Sequence, residues 1–478
     1  MQRRINKVAV LGSGVMGSRI ACHFAGIGVK VLLLDIAPKE PNDAEKAKGL
    51  TTEHPAVKNR IVNDALQAAL KSNPSPVFTK DVAKLIKTGN FTDNMKDIAG
   101  VDWIIEVVVE NLDIKRSVFE QVEQYRKPGT LITSNTSGIP IHLMTEGRSE
   151  DFQKHFCGTH FFNPPRYLRL LEIIPTPHTD PSIVEFLMEY GDLYLGKTTV
   201  LAKDTPAFIA NRVGVFSIMA IFHIMEEMGL NVDEIDALTG PVIGRPKSAT
   251  FRTADVVGID TLVKVAVGVA QNCPDDEAKA IFTIPSFLQK IVDNKWLGDK
   301  TGQGFYKKTK GDGGKEILTL DLKTMEYGPR QKAKFGSIEA AKPIDDLKQR
   351  IRMVAAGTDK AGQFYQAFHA YLFSYISNRI PEIADDLYKV DDAMKAGFGW
   401  EIGAFETWDL LGVENGIKLI EAKGLTAAQW VKDMLAKGIN KFYKVDNGKQ
   451  YYYSRYRNNT KRSPVPTISS SWKTAPAM

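Results

Sequence analysis

Cysteine is scarce: Cys22, Cys157 and Cys273 are the only three in 478 residues, and no Cys-x-x-Cys pair occurs. That spacing argues against a disulfide framework or a zinc site and fits a reducing compartment. No stretch approaches the ~18 consecutive apolar residues that a membrane-spanning helix requires, so no membrane span is expected. An excess of one charge is also missing. The 62 Lys and Arg stand against 56 Asp and Glu, a formal net charge of +6 with the two signs interspersed. Such a balance suits an anionic small ligand and makes no demand for nucleic acid. The first apolar run begins at Val8, so no signal or transit peptide is expected and a cytoplasmic location follows. With 43% hydrophobic residues the chain has material for a sizeable core, and its length suits two or three domains of roughly 100–200 residues each.

Residues 5–35 read as strand, glycine-rich turn, helix, strand. Lys7 to Leu11 is a short apolar run, Gly12-Ser13-Gly14-Val15-Met16-Gly17 follows, and Val29 to Leu34 is a second run that ends on Asp35. Two buried parallel strands joined by a helix have this pattern. Residues 38–90 are polar and broken by prolines, and are read as a helical excursion with loops. Further buried strands are expected at 101–109, 130–134, 157–162 and 168–174. The last two are joined through Asn163-Pro164-Pro165-Arg166, which suggests an antiparallel pair. From Thr205 onward long helical patterns take over, at 207–230, 232–239 and 259–272.

A repeat is visible among the helices. Phe251-x-Thr253-x-Asp255-x-x-Gly258 and Phe405-x-Thr407-x-Asp409-x-x-Gly412 share their spacing, with Lys264 and Lys418 at the same offset. The expected organisation is an α/β domain over 1–203, a first helical module over 204–308, an irregular Lys/Gly-rich linker over 309–345, a second helical module over 346–445 and a loosely held tail over 446–478.

The glycine pattern gains meaning from its context. It follows a strand, opens a helix, and an acid ends the next strand about 20 residues on. Gly12 permits the tight turn, Gly14 lets backbone approach a pyrophosphate, and Gly17 lets helix pack on strand. Val15 and Met16 stand at the helix N-terminus, whose free N–H groups and dipole favour phosphate. Asp35 can accept from a ribose 2′-hydroxyl and would repel a 2′-phosphate, so NAD is the expected cofactor. The fold class is thus an α/β Rossmann-type NAD-binding domain followed by two all-α helical modules.

His160 and Glu172 are polar residues inside the two apolar strands joined at Pro165-Arg166. An antiparallel pairing through that turn puts them roughly opposite each other. A carboxylate there holds the imidazole in one tautomer, and such a His can take a hydroxyl proton as hydride leaves the same carbon.

Residues 5–306 resemble the 3-hydroxyacyl-CoA dehydrogenase family of fatty-acid β-oxidation. The stretches that carry the resemblance are the Gly12–Gly17 loop with Asp35, Glu106-Val-Val-Val-Glu110-Asn111-Leu112-x-x-Lys115, Ser134-Asn135-Thr136-Ser137, His160-Phe-Phe-Asn163-Pro164, Glu172, Lys203-Asp204-Thr205-Pro206-x-Phe208-Ile209-x-Asn211-Arg212 and Gly302-x-Gly304-Phe305-Tyr306. The resemblance implies that His160 is the general base and Glu172 its orienting partner. It implies that Ser137 and Asn211 hydrogen-bond the substrate, and that Asn163 shapes the pocket. Glu110 and Lys115, with Asn135 and Ser137, would meet the nicotinamide-ribose end of NAD. No metal is implied. The residues alone leave other readings open: Ser137 as the cap of a helix starting at Ile139, Asn211 as an exposed or capping residue, Glu110 and Lys115 as helix-start charges, Asn163 as turn chemistry.

The resemblance also has departures. Prolines interrupt the segment after Asp35, where simple members are expected to carry a helical hairpin. The second helical copy has no Asn-Arg at the offset of Asn211-Arg212 and no Rossmann domain of its own, so it is expected to be structural. The two-module layout is similar to the long bacterial members. Those relatives imply an acyl-CoA substrate, with an enoyl-CoA hydratase or thiolase as a separate partner and no hydratase domain in this sequence. Single-module relatives commonly dimerise through the helical domain. A second module in cis is expected to occupy that surface, leaving a monomer or a different dimer. Closure of the helical domain over the Rossmann domain would exclude water. Two other readings stand beside this one: a dehydrogenase of a free hydroxy acid or sugar acid on the same fold, and a non-catalytic subunit that scaffolds a hydratase.

Overall fold

The apolar runs of the first 200 residues become the strands of one sheet. In the computed structural model, β1 (Lys7–Leu11), β2 (Lys30–Asp35), β3 (Ile86–Asn90), β4 (Trp103–Glu106), β5 (Leu131–Ser134), β6 (Phe156–Phe161), β7 (Leu170–Pro175) and β8 (Thr198–Leu201) pair in the order β3-β2-β1-β4-β5-β6-β7-β8. All neighbours are parallel except β6 and β7, which are antiparallel as the Pro165-Arg166 turn suggested. Residues 3–311, 314–455 and 459–462 are described, and the chain divides into two compact units, Met1–Phe208 and Ile209–Met478.

In the first unit the central strands are buried end to end because helices cover both faces of a parallel sheet. Helix α1 (Val15–Gly26) presses Ile20, Phe24 and Ala25 onto the sheet, and Phe24 meets the fully buried Trp103 edge to face at 5.2 Å. The Trp103 indole N–H donates to Thr133 Oγ1 at 2.9 Å, which lets a polar atom sit inside the core. Two strands, β3 and β8, were not expected. Ile86-Lys-Thr-Gly-Asn carries one large apolar residue, and an edge strand needs little more because only one side of its backbone is paired.

The second unit contains the two helical repeats, and each is larger than its helices. In the first, helix α2 (Ala210–Met228) leads through the helices Phe251–Val257 and Ile259–Asn272 to a three-stranded antiparallel sheet, β9 (Tyr306–Gly311), β10 (Gly314–Leu320) and β11 (Tyr327–Pro329). In the second, helix α3 (Lys360–Asn378) leads through Ala404–Leu411 and Val413–Ala422 to another such sheet, β12 (Tyr443–Asp446), β13 (Lys449–Ser454) and β14 (Asn459–Arg462). The expectation of an irregular linker over 309–345 is therefore corrected: the segment pairs backbone as a meander. So is the expectation of a loose tail from 446, at residues 446–455 and 459–462; residues 456–458 and 463–478 of that tail lie outside the described residues. Both misreadings have one cause. Lys/Gly-rich and Tyr-rich strands with one exposed face lack an apolar run, while their pairing is a backbone property.

The repeat is chemical as well as architectural. Asp255 accepts the backbone N–H groups of Phe305 and Tyr306 at 2.8 and 2.9 Å, and Asp409 accepts those of Phe442 and Tyr443 at 2.7 and 2.8 Å. The Tyr306 hydroxyl donates to Asp236, and the Tyr443 hydroxyl to Asp391. Gly258 and Gly412 stand at φ 101° and 91°, the turn that the shared Asp-x-x-Gly spacing serves. Lys264 and Lys418 are both exposed helix residues, and their shared offset is a by-product of the repeat.

Within this unit the second repeat packs on α2. Phe216 stacks on Tyr375 with centroids 3.7 Å apart. Arg212 is fully buried and donates to Tyr375, Asp276 and Glu382 at 2.6, 2.7 and 3.0 Å. A methyl group at Gly214 would come within 2.1 Å of the Phe398 ring, so the helix admits the partner repeat only because that position is glycine.

Candidate active site

The carboxyl ends of the parallel strands bring the expected residues of the first unit to one edge. Gly12 follows β1 at φ 102°, and a Cβ there would lie 2.5 Å from the Val107 carbonyl oxygen. A Cβ on Gly17 would lie 1.8 Å from the Gly12 oxygen. Gly14 differs from both, because no protein atom lies within 4 Å of where its Cβ would be. The first two glycines answer to packing, and the third leaves open space before the N-terminus of α1, with Val15 exposed and Met16 partly buried. That is the cradle a pyrophosphate needs. At the end of β2, the Ser13 amide and hydroxyl donate to Asp35 Oδ2 at 2.6 and 2.5 Å, and the Ile36 amide donates to Oδ1 at 2.7 Å. The carboxylate is thereby oriented at the loop mouth, and each oxygen has acceptor capacity for a ribose hydroxyl. The residues present fit NAD.

Beyond β4 lies a charged cluster. Glu106 is fully buried and takes Lys115 Nζ at 2.7 Å, together with the Ser134 hydroxyl and the Val108 amide. Burial pushes the Glu106 carboxyl up, against the pull of Lys115 and the other donors. Lys115 is equally buried, and lies 3.4 Å from Glu110 Oε2. Its ammonium is turned inward to two carboxylates. Burial also works against the Glu110 anion, but Lys115 and three donors outweigh it and hold this carboxyl below its usual range. Those donors are the Thr136 hydroxyl at 2.6 Å and the Ser137 and Gly138 amides at 3.0 and 3.1 Å. Glu110 thus fixes the loop that carries Ser137.

Ser137 is exposed, and its hydroxyl caps no helix. The capping alternative is corrected: the Ile139 amide goes to Thr136 Oγ1, and the short helix Ile141–Met144 is held instead by Asp204, which accepts from the Ile141 and His142 amides at 2.7 and 2.9 Å. Asn135 is buried, with its Oδ1 accepting the Phe161 amide at 2.9 Å. Asn163 is exposed in the β6–β7 turn, where its Oδ1 accepts from Arg19 of α1 at 2.5 Å.

His160 and Glu172 are register partners across β6 and β7. Nδ1 of the ring lies 2.6 Å from Glu172 Oε2, and both side chains are buried, His160 at 4% exposure and Glu172 at none. A carboxylate on Nδ1 keeps the proton there and leaves Nε2 as the basic nitrogen. Among the described residues Nε2 has no protein partner. Two rings border the imidazole, Phe162 with its centroid at 4.6 Å and Phe208 at 5.5 Å. Neither was singled out from the sequence. Phe208 sits with Ala207 in the left-handed region, at φ 51° and 63°, an uncommon conformation for non-glycine residues. The Lys203–Arg212 motif contained both Asp204 and Phe208, and only their neighbours in space give them a role. Asn211 lies in the second unit, as the second residue of α2.

Residues 7–205 match the family described as "3-hydroxyacyl-CoA dehydrogenase, NAD binding domain", and residues 208–308 match "3-hydroxyacyl-CoA dehydrogenase, C-terminal domain". The chain is 47% identical over 455 residues to a "Probable 3-hydroxyacyl-CoA dehydrogenase" of Bacillus subtilis, covering 95% of this chain and 57% of that protein. It thus spans little more than half of that relative. A protein of the same description from Deinococcus radiodurans is 46% identical over 310 residues, 65% of this chain and 84% of that one. Among solved structures, a 3-hydroxybutyryl-CoA dehydrogenase from Escherichia coli superposes with a TM-score of 0.65 at 22% identity, covering 91% of this chain and 99% of that one, a likeness of fold.

Proposed function

Because the chain belongs to the 3-hydroxyacyl-CoA dehydrogenase family, we propose that it interconverts (S)-3-hydroxyacyl-CoA and 3-oxoacyl-CoA, with His160 as the general base. The observation that carries this reading is the buried 2.6 Å contact between His160 and Glu172 at the carboxyl edge of the dinucleotide-binding sheet. NAD⁺ supplies the hydride acceptor when bound. The protein's own part begins with orientation. Gly12, Gly14 and Gly17 with the start of α1 take the pyrophosphate, and Asp35 takes the adenine ribose. Glu110 holds the Ser137 loop at the nicotinamide end, and Lys115 holds Glu110.

The reacting hydroxyl gives its proton to His160 Nε2. Glu172 stabilises the imidazolium that results, as a carboxylate on the far nitrogen must. Phe162 and Phe208 keep water from the ring and so strengthen that interaction. The Ser137 hydroxyl stands exposed on its fixed loop and would hydrogen-bond the substrate oxygen; Asn211 has the same role from the motif it shares with Arg212, and Asn163 shapes the pocket. A separate enoyl-CoA hydratase or thiolase, in the cytoplasm, is the partner this chemistry calls for. The fatty-acid oxidation naming of the Rickettsia prowazekii relative, 30% identical, supports that setting.

Steady-state oxidation of NADH with acetoacetyl-CoA, compared with free acetoacetate, tests the reading. Turnover of the thioester with little or none of the free acid is expected. Equal turnover would transfer the activity to free hydroxy acids, and no turnover of either would leave a binding subunit.

A further inference from the structure

The turn that joins the strands of His160 and Glu172 is held by a buried lysine. Lys197 stands between the helix Pro181–Leu193 and β8, and is 2% exposed. Its ammonium donates to the Pro165 carbonyl oxygen and, at 2.9 Å, to that of Leu168. It also lies 5.7 Å from the centroid of the Phe161 ring. Among the described residues it has no carboxylate partner. An ammonium kept in a core without a counter-charge is costly, so its surroundings must require it.

The turn supplies that requirement. The Tyr167 and Leu168 amides both donate to the Pro164 oxygen, at 2.9 and 3.0 Å, which coils residues 164–168 tightly. Among the described residues neither the Pro165 nor the Leu168 oxygen accepts a backbone amide in that coil, and Pro165 is buried. A buried carbonyl needs a donor, and Lys197 serves both. The same turn is tied to α1. Arg19 of that helix donates to Asn163 Oδ1 at 2.5 Å, and His23 Nε2 donates to the Leu195 carbonyl at 3.0 Å, two residues before Lys197. Helix α1 opens at Gly14, so one turn joins the helix that faces the pyrophosphate cradle to the strands that carry His160 and Glu172.

Lys197 does not touch the imidazole. Phe161, over which it lies, follows His160 on β6, and successive strand residues face opposite sides of the sheet. Its influence on His160 therefore passes through backbone. We propose that Lys197 is a positioning residue for the dehydrogenase reaction: by pinning the Pro165 and Leu168 carbonyls it fixes the β6–β7 turn, and so sets where His160 stands against Glu172 and against α1. The proposal rests on the reading of His160 as the general base.

Lys197→Met in the full chain keeps the side chain's length and removes every donor. It should bind NADH within about twofold of wild type, leave KM for acetoacetyl-CoA within about threefold, and lower kcat about 10²-fold, the cost of a small misplacement remote from the chemistry. Wild-type kcat overturns the proposal, and so does a fall in kcat matched by an equal fall in NADH affinity, the mark of a general structural defect. The imidazole nitrogen signals of His160 in histidine-labelled protein, assigned by their loss in His160→Gln, give a readout that needs no substrate. Wild type should show one tautomer with the proton on Nδ1, and Lys197→Met a shifted or mixed pair. Unchanged signals in the folded variant overturn the proposal whatever the rate. If wild type itself does not turn over the thioester, the dehydrogenase reading fails, while the His160 signals still decide whether Lys197 positions the ring. Should Lys197→Met not fold, Lys197→Gln, which keeps a neutral donor, is read in the same way, with an expected loss in kcat of about tenfold.

Discussion

Gly14 and Gly17 lie in one turn, and a methyl group would have opposite consequences at the two. At Gly17 it would overlap the Gly12 carbonyl oxygen, while at Gly14 it would enter open space with a backbone φ of −55° that any residue tolerates. Gly14→Ala should therefore leave thermal unfolding within about 1 °C of wild type, as expected for a site without protein contacts, yet weaken NADH binding in a fluorescence titration. Gly17→Ala should lower the unfolding temperature outright. An unchanged NADH affinity in folded Gly14→Ala would remove the loop from the cofactor site. The proton-transfer reading has its own test. His160→Gln should keep NADH affinity and lose about 10²–10⁴-fold in kcat, the usual contribution of a positioned base. Glu172→Gln, which keeps the shape and removes the charge, should lose less. Wild-type turnover in His160→Gln would sink the assignment. This pair was legible in the sequence because a polar residue in each of two apolar strands, joined by a proline turn, has few partners other than its opposite number. Phe208 was not legible. It reaches the His160 ring from beyond β8, through two successive left-handed residues that no local pattern announces.

The elements of the second unit repeat down to their hydrogen bonds, and that gives a paired prediction. Burial pushes Asp255 and Asp409 up to about 6, against the two backbone N–H groups that each accepts. From the ordinary value of 3.8 up to about 6, the folded chain holds a proton that the unfolded chain has released. Each group's contribution to stability is thus full below pH ~4, is lost as pH rises through 6, and is flat above that. Asp255→Asn removes the titration. The gap in unfolding temperature between wild type and Asp255→Asn should narrow from pH 4 to pH 6 and hold steady from pH 7 upward. Asp409→Asn should behave alike, since its surroundings are alike. A gap that widens over this range would contradict the assignment. The Phe-x-Thr-x-Asp-x-x-Gly spacing made the helices of this repeat readable, and the aspartate's partners explain why it is there. What it could not reveal was that the partners sit on a strand. Phe305-Tyr306 and Phe442-Tyr443 are dipeptides, too short to carry a period, and the strands that open at Tyr306 and Tyr443, Tyr-Lys-Lys-Thr and Tyr-Lys-Val-Asp, are mostly polar.

At the scale of the whole chain, the question is what a second copy without its own dinucleotide site contributes. Its helices cover α2 of the first copy: Tyr375 stacks on Phe216, Phe398 fills the space over Gly214, and Arg212 is compensated partly by Glu382 of the second copy. Phe216 and Arg212 are fully or nearly fully buried by this packing. Without the second copy the same face would present an apolar helix and an arginine with one of its carboxylates gone, a surface that must be covered by something. Covering it in cis removes the need for a second chain. The full chain is therefore expected to be monomeric by sedimentation equilibrium at micromolar concentration, whereas a chain ending after Ala333, which keeps the first repeat's meander, should dimerise or aggregate. Gly214→Trp in the full chain should separate the two repeats without touching the residues proposed for chemistry, and should move the oligomeric state in the same direction as the truncation. A monomeric truncated chain would show that the face needs no cover, and would assign the second copy some purpose other than shielding α2.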